Sequence, residues 1–191
     1  MNETIQILTF MIAIVLLTPV MGSFMAKVFM NQRHLMKPVF GWLEKLVYRT
    51  TGIQPEVEMN WKTYSFQLLI FNFFGFLIVL LLQLFQQYLP LNPQHLPNVS
   101  WHLSLNTAVS FMTNTNWQSY AGETTMSNLV QMAGLTVQNF LSAATGIAVA
   151  VVLMRGLTKK TTENLGNFWV DVTRSVVYIL LSLSIIFSIF L

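Results

Sequence analysis

Residues 113–125 read TNTNWQSYAGETT, a polar run in a chain that is 54% hydrophobic and only 9% charged. Exposed to lipid, the unpaired backbone and amide groups of this run would each cost several kcal/mol. The run must therefore lie in water, in packed protein, or around a ligand. Which of these holds depends on what flanks it.

The flanks are long and apolar. The chain has 191 residues with 11 Met and 15 Phe, and its mean hydropathy is +0.58. A soluble domain of that length carries far more charge. Four apolar segments are long enough to span a bilayer: Ile5 to Ala26, about Tyr64 to Tyr88, Met126 to Met154, and Trp169 to Leu191. The first follows Met1-Asn2-Glu3, which lacks the basic start of a signal peptide, and it reads as a retained anchor. The chain has no Cys, so it has no disulfide or thiolate site, and its three His are scattered, which leaves zinc without a ligand set.

The basic residues give the orientation. Lys27, Arg33, Lys37, Lys45, Arg49 and Lys62 fill the connection between the first two spans. None follows until Arg155, Lys159, Lys160 and Arg174, around the connection between the last two. The positive-inside rule places both basic connections in the cytoplasm and puts the N-terminus and residues 89–125 outside. The net charge of +3 is thus a topology signal and not a nucleic-acid-binding surface.

Within the outer connection, SWHLSLNTAVSFMT is helix-like, with Trp101, Leu105, Val109 and Met112 at helical spacing and Ser100 or Ser104 as a cap. This helix, about residues 101–113, is too short to span. A half-length helix that enters from outside points its partially negative C-terminal end at the membrane centre. The chain then returns through an extended polar segment, 113–118, whose carbonyls can replace the water shell of a dehydrated cation such as potassium. Thr113, Asn114, Thr115 and Asn116 are the candidate ligands. Trp117 is expected to wedge the returning strand with its indole N–H on an acceptor, and Gln118 to support it. Gly122 is expected to let the chain turn, and Glu123 to brace backbone N–H groups or attract cations. Taken alone, TNTN is a common polar loop, Trp117 an ordinary membrane-belt residue, and Glu123 a favourable charge at the next helix start. Ser142, Gly146 and Ala150 in the third span form a stripe for close helix approach, while Gln131, Gln138 and Asn139 require protein or water. His95 and His102 have no nucleophile or metal spacing beside them and read as solvated.

EMNWKTY at 58–64, LPLNPQHLP at 89–97, LGNFWVD at 165–171 and above all residues 105–150, from LNTAVSFMTNTNWQSYAGETT to GIAVA, resemble one family. It is the potassium-binding A subunit of the bacterial Kdp potassium-transporting ATPase. The resemblance implies an all-α integral membrane fold similar to potassium channels, in which span–pore-helix–span repeats surround a filter behind an extra N-terminal span. The divisions would be 1–28 for the extra span, 29–62 for a cytoplasmic basic loop, 63–154 for the first repeat, and 155–191 for the connection and the opening span of a second repeat. It further implies a bacterial inner-membrane location, potassium as the transported ion, and a complex with a P-type ATPase subunit and small accessory subunits. ATP chemistry would sit on that partner, since this chain has no DKTG-type phosphorylation site. The chain ends at SIIFSIFL inside its fourth span, which would make it the N-terminal part of a longer subunit. Ser182 and Ser184 stand where a proline kink is expected. The alternative reading is a passive channel of identical single repeats, set apart by uptake without ATP. A membrane scaffold leaves the half-length helix unexplained, and an intramembrane enzyme lacks a paired acid, base or nucleophile.

Overall fold

The computed structural model describes residues 3–158 and 164–190. Lys159 and Lys160 of the basic pattern lie outside the described residues. Four helices are long and apolar enough to cross a membrane: Glu3–Phe29, Trp61–Leu84, Val130–Thr158 and Phe168–Ser188. The first is α1. The basic connection after it is not simply a loop, because it folds as α2, Lys37–Thr51. Pro38 at its first turn and Gly52 at its end, with φ 72°, bound that helix. Helix α3 spans Trp61–Leu84, and the Asn60 side chain caps it by accepting from the Thr63 amide at 2.9 Å.

The outer connection contains a half-length helix, α4, at Trp101–Met112, as the spacing predicts. The residues at helical spacing do not form its buried face. Ser104, Thr107, Ala108, Ser110 and Phe111 form the buried face against α3, whereas Trp101 and Val109 are exposed. Small and hydroxyl-bearing side chains let helices approach closely, and this overrides apolar periodicity inside a membrane bundle. Ser100 occupies the cap position without a side-chain bond, and the Ser104 hydroxyl instead donates to the Val99 carbonyl at 3.4 Å.

A four-residue helix, α5 (Gly122–Thr125), precedes the third span. That span opens as a π-helical stretch, Val130–Thr136, and continues as α6, Val137–Thr158. The fourth runs as α7 (Phe168–Arg174), a second π-helical stretch (Ser175–Leu180) and α8 (Leu181–Ser188). The irregularity expected from a proline near Ser182 is thus supplied by widened π turns, and the Ser182 hydroxyl reaches the Val177 carbonyl five residues back at 3.5 Å.

Two of the arginines assigned to topology also hold the bundle together. Arg155 on α6 grips Asp171 on α7 through both guanidinium nitrogens, at 2.6 and 2.9 Å. It also donates to the carbonyls of Leu165, at 3.1 Å, and of Phe29 at the end of α1, at 3.4 Å. The Tyr64 hydroxyl on α3 donates to the same carboxylate at 3.0 Å. One buried aspartate therefore gathers all four spans. Gly166 makes room for this, since a Cβ there would run into the Arg155 guanidinium. In a second cluster, Glu44 of α2 accepts from Arg174 at 2.9 Å, Tyr178 at 2.6 Å and Tyr48 at 2.8 Å.

Asp171→Ala leaves the partly buried Arg155 guanidinium without its counter-charge and should cost about 3 kcal/mol, against about 1 kcal/mol for Tyr64→Phe. Thermal unfolding in detergent should show the larger drop for the aspartate, and equal drops would refute the ranking. Burial pushes the Glu44 carboxyl up, but the hydrogen bonds from Arg174, Tyr178 and Tyr48 outweigh burial and hold it below its ordinary value of 4.5. A depressed carboxyl contributes stability that is present above its unfolded value and lost as pH falls through the folded one. Docking of α2 should therefore loosen only below about pH 4.5, and Glu44→Gln should remove that acid sensitivity, read by hydrogen exchange across α2.

Candidate functional site

The polar run begins where α4 stops. Four successive amides turn back onto the last turn of the helix. The Asn114 N–H donates to the Phe111 carbonyl at 3.2 Å, and those of Thr115 and Asn116 to the Ser110 carbonyl at 3.0 and 3.2 Å. The Trp117 N–H donates to the Ser110 hydroxyl oxygen at 2.6 Å, and that hydroxyl donates in turn to the Trp117 carbonyl at 3.0 Å. Ser110, buried on α4, thus anchors the whole return.

The carbonyl directions follow from peptide geometry. No peptide bond among the described residues is cis, and in a trans peptide the C=O points opposite to the N–H of the next residue. With the amides of 114–117 aimed at the helix end, the carbonyls of Thr113, Asn114, Thr115 and Asn116 point away from it. None of them accepts a hydrogen bond among the described residues. The segment is not extended, as the sequence reading expects. Asn114 and Asn116 are left-handed, with φ 58° and 53°, while Thr113 has φ −85° and Thr115 does not join the left-handed residues. Alternating handedness makes successive N–H groups converge on one side, which sends the carbonyls to the other. Asparagine is the side-chain-bearing residue best suited to the left-handed positions.

Depth is set by the third span. A Cβ on Gly146 would fall 2.9 Å from Nδ2 of Asn114, so that amide rests on bare helix backbone. Gly146 lies near the midpoint of Val130–Thr158. The start of α4 is tied to the end of α3 by the Val99 amide on the Gln83 carbonyl, 3.1 Å. Helix α4 therefore runs from the end of the bundle where α3 stops to its middle and ends there. Of the expected small-residue stripe Gly146 serves this approach, while Ser142 is buried and Ala150 is exposed; Gln138 packs across Gly75 of α3, and Asn139 is exposed.

Other expected supports take different places. The Trp117 ring is exposed, and the residue is held by its backbone rather than by its indole N–H. It lines an open recess with His102, Asn106, Val109, Thr113 and Thr115. Gln118 is exposed. Gly122 starts α5 outside the left-handed region, so the turn does not draw on its conformational freedom. Its carbonyl accepts from Gln131 Nε2 at 3.1 Å. Glu123 is exposed on α5 and bonds no backbone N–H among the described residues.

Two residues missed by the sequence reading hold the polar return and its approach in place. Gln86, fully buried just past α3, donates to the carbonyls of Pro97 at 2.6 Å and Thr125 at 2.9 Å and accepts from the Ser127 amide at 2.9 Å. Ser110 is the other. A polar residue inside an apolar run was the available signal for both.

Four long apolar helices, with a half-length helix and an irregular polar return between the second and third, define an all-α integral membrane protein. Residues 8–191 match the family model described as the potassium-transporting ATPase A subunit. Relatives named potassium-transporting ATPase potassium-binding subunit are 52% identical in Pseudomonas fluorescens (strain SBW25), over 97% of this chain and 33% of that protein. In Hydrogenobaculum sp. the identity is 49%, over 100% of this chain and 34% of the relative, and in Herpetosiphon aurantiacus it is 51%, over 98% and 32%. The chain belongs to the potassium-transporting ATPase A subunit family. It spans about a third of the length of these relatives.

Ser110→Ala removes the acceptor of the Trp117 amide but keeps the carbonyl that holds Thr115 and Asn116. Hydrogen exchange should quicken about fivefold at Trp117, the equivalent of about 1 kcal/mol for one hydrogen bond, with little change at Thr115. Uniform acceleration across 114–117 would mean that the hydroxyl does not act locally.

Proposed function

We propose that Thr113, Asn114, Thr115 and Asn116 form one wall of a potassium-selectivity filter in the ion-binding subunit of an ATP-driven potassium importer. The observation that carries this reading is the set of four carbonyls turned away from the end of α4 with no internal acceptor role. Such oxygens can replace the hydration shell of a potassium ion, and the negative end of α4 adds favourable potential at the same place. One repeat supplies one wall, and the other walls would come from the remainder of a subunit the length of the relatives. That length favours a single long subunit over a channel assembled from identical single repeats.

In this reading the chain is non-catalytic. It takes potassium from outside and passes it to a P-type ATPase subunit that hydrolyses ATP, in a complex that includes small accessory subunits. It lies in the bacterial inner membrane with its N-terminus outside, as the positive-inside pattern supports. Trp117 and the recess beside it are then a contact face toward the next repeat.

The test is uptake by the full-length subunit co-expressed with its ATPase partner. Alanine held at the left-handed φ of position 116 costs roughly 1–2 kcal/mol, whereas glycine adopts it freely. Asn116→Ala should raise the potassium concentration for half-maximal uptake about tenfold and weaken discrimination against sodium, while Asn116→Gly stays close to the parent. Equal loss in both variants would assign the role to the side-chain amide. Parental uptake by Asn116→Ala would defeat the filter reading.

A further inference from the structure

Helix α2 carries a surface that the potassium pathway does not use. Leu35, in the turn leading into it, and Val39, Trp42 and Leu46 are 77%, 55%, 63% and 48% exposed. Their spacing of four, three and four residues puts them on one side of the helix. The opposite side is committed. There Phe40 and Leu43 pack on Val28, Val177 and Tyr178, and Glu44 is bound to Arg174 and Tyr178. The exposed stripe is therefore the unpaired half of a helix whose other half is fixed in place.

The level of this helix follows from the same contacts. Val28 lies one residue from the end of α1, so its packing on Phe40 and Leu43 sets α2 beside the last turn of a span. Seven residues separate the end of α1 from the start of α2, and α3 begins nine residues after α2 ends. At that start Trp61 is exposed with the Lys62 ammonium 5.7 Å from its ring centre. An exposed Trp beside a Lys is an arrangement suited to the zone between acyl chains and headgroups. Along α2, Lys45 and Arg49 border the apolar stripe, and Arg33 and Lys27 are exposed nearby. The acidic residue of the helix, Glu44, is turned inward and paired.

We propose that α2 is an interfacial helix that beds Leu35, Val39, Trp42 and Leu46 into the bilayer leaflet at the basic end of the spans, with Lys45 and Arg49 on anionic headgroups. An amphipathic helix with a basic edge binds such a surface through buried apolar area together with electrostatic attraction. A water-facing role leaves four large apolar groups exposed in a row, and a protein partner would have to reach a stripe held beside the ends of the spans. The ion pair of Glu44 with Arg174 then connects leaflet charge to the fourth span.

These 191 residues hold no cysteine, so with any cysteine in the rest of the subunit replaced by serine a direct depth measurement is possible. Single nitroxide labels on Val39→Cys, Leu46→Cys and Lys45→Cys are placed in the whole protein, reconstituted in vesicles of phosphatidylcholine and phosphatidylglycerol. Accessibility to oxygen and to a water-soluble nickel chelate is then compared. Labels at 39 and 46 should collide several-fold more with oxygen than with nickel, and the label at 45 should show the reverse. If 39 and 46 are as open to nickel as 45, the stripe faces water and the proposal fails. If they are closed to both reagents, protein covers the stripe and the proposal also fails. Vesicles of phosphatidylcholine alone should make 39 and 46 shallower, and unchanged depth would overturn the anionic-headgroup part.

Discussion

An amide that leaves a helix inside an apolar protein has to find an acceptor, and at the end of α4 four in a row find theirs on the same turn. Ser110 supplies three of the acceptor contacts, two through its carbonyl and one through its hydroxyl. Much of the site's geometry follows from that convergence. Because the amides point inward, the carbonyls point outward. Because the turn must reverse handedness twice, asparagine occupies both left-handed positions. Because the reversal is compact, the segment stays close enough to α6 for Asn114 to lie on Gly146.

The bundle that holds this turn is organised from its opposite end. Asp171 with Arg155, and Glu44 with Arg174, are buried ion pairs tied into hydroxyl and carbonyl partners. Pairs of this kind add little net stability over well-packed apolar residues, yet removing one partner is expensive. Their value here is geometric, since they fix which helix ends meet. Both pairs lie at the basic end, so the centre of the bundle is left to small residues and the polar return.

The spans, the half-length helix and the polar return were legible because each follows from hydrophobic length, helix-stopping residues and the cost of unpaired backbone. TNTN was singled out as the candidate segment, but its backbone was misread, since Thr and Asn are compatible with extended and turned chain alike. Only the acceptors on Ser110 decide between them. The buried face of α4 was not legible, because periodicity reports where apolar residues lie and not whether that side meets lipid or protein. Helix α2 was passed over as a basic loop, its charge drawing attention away from its regular apolar stripe. Gln86 offered only the signal of a polar residue beside an apolar run: its three bonds to residues 97, 125 and 127 cannot be inferred from one amide.

That amide has a mechanical consequence. With residue 97 and residues 125 and 127 fastened to one side chain at the end of α3, the stretch between them is a loop closed at its neck. Residues 87–96 lie outside the neck, so their length and sequence can drift without transmitting a displacement to the carbonyls at mid-depth. The outer face of the molecule is thereby free to vary while the interior keeps its register.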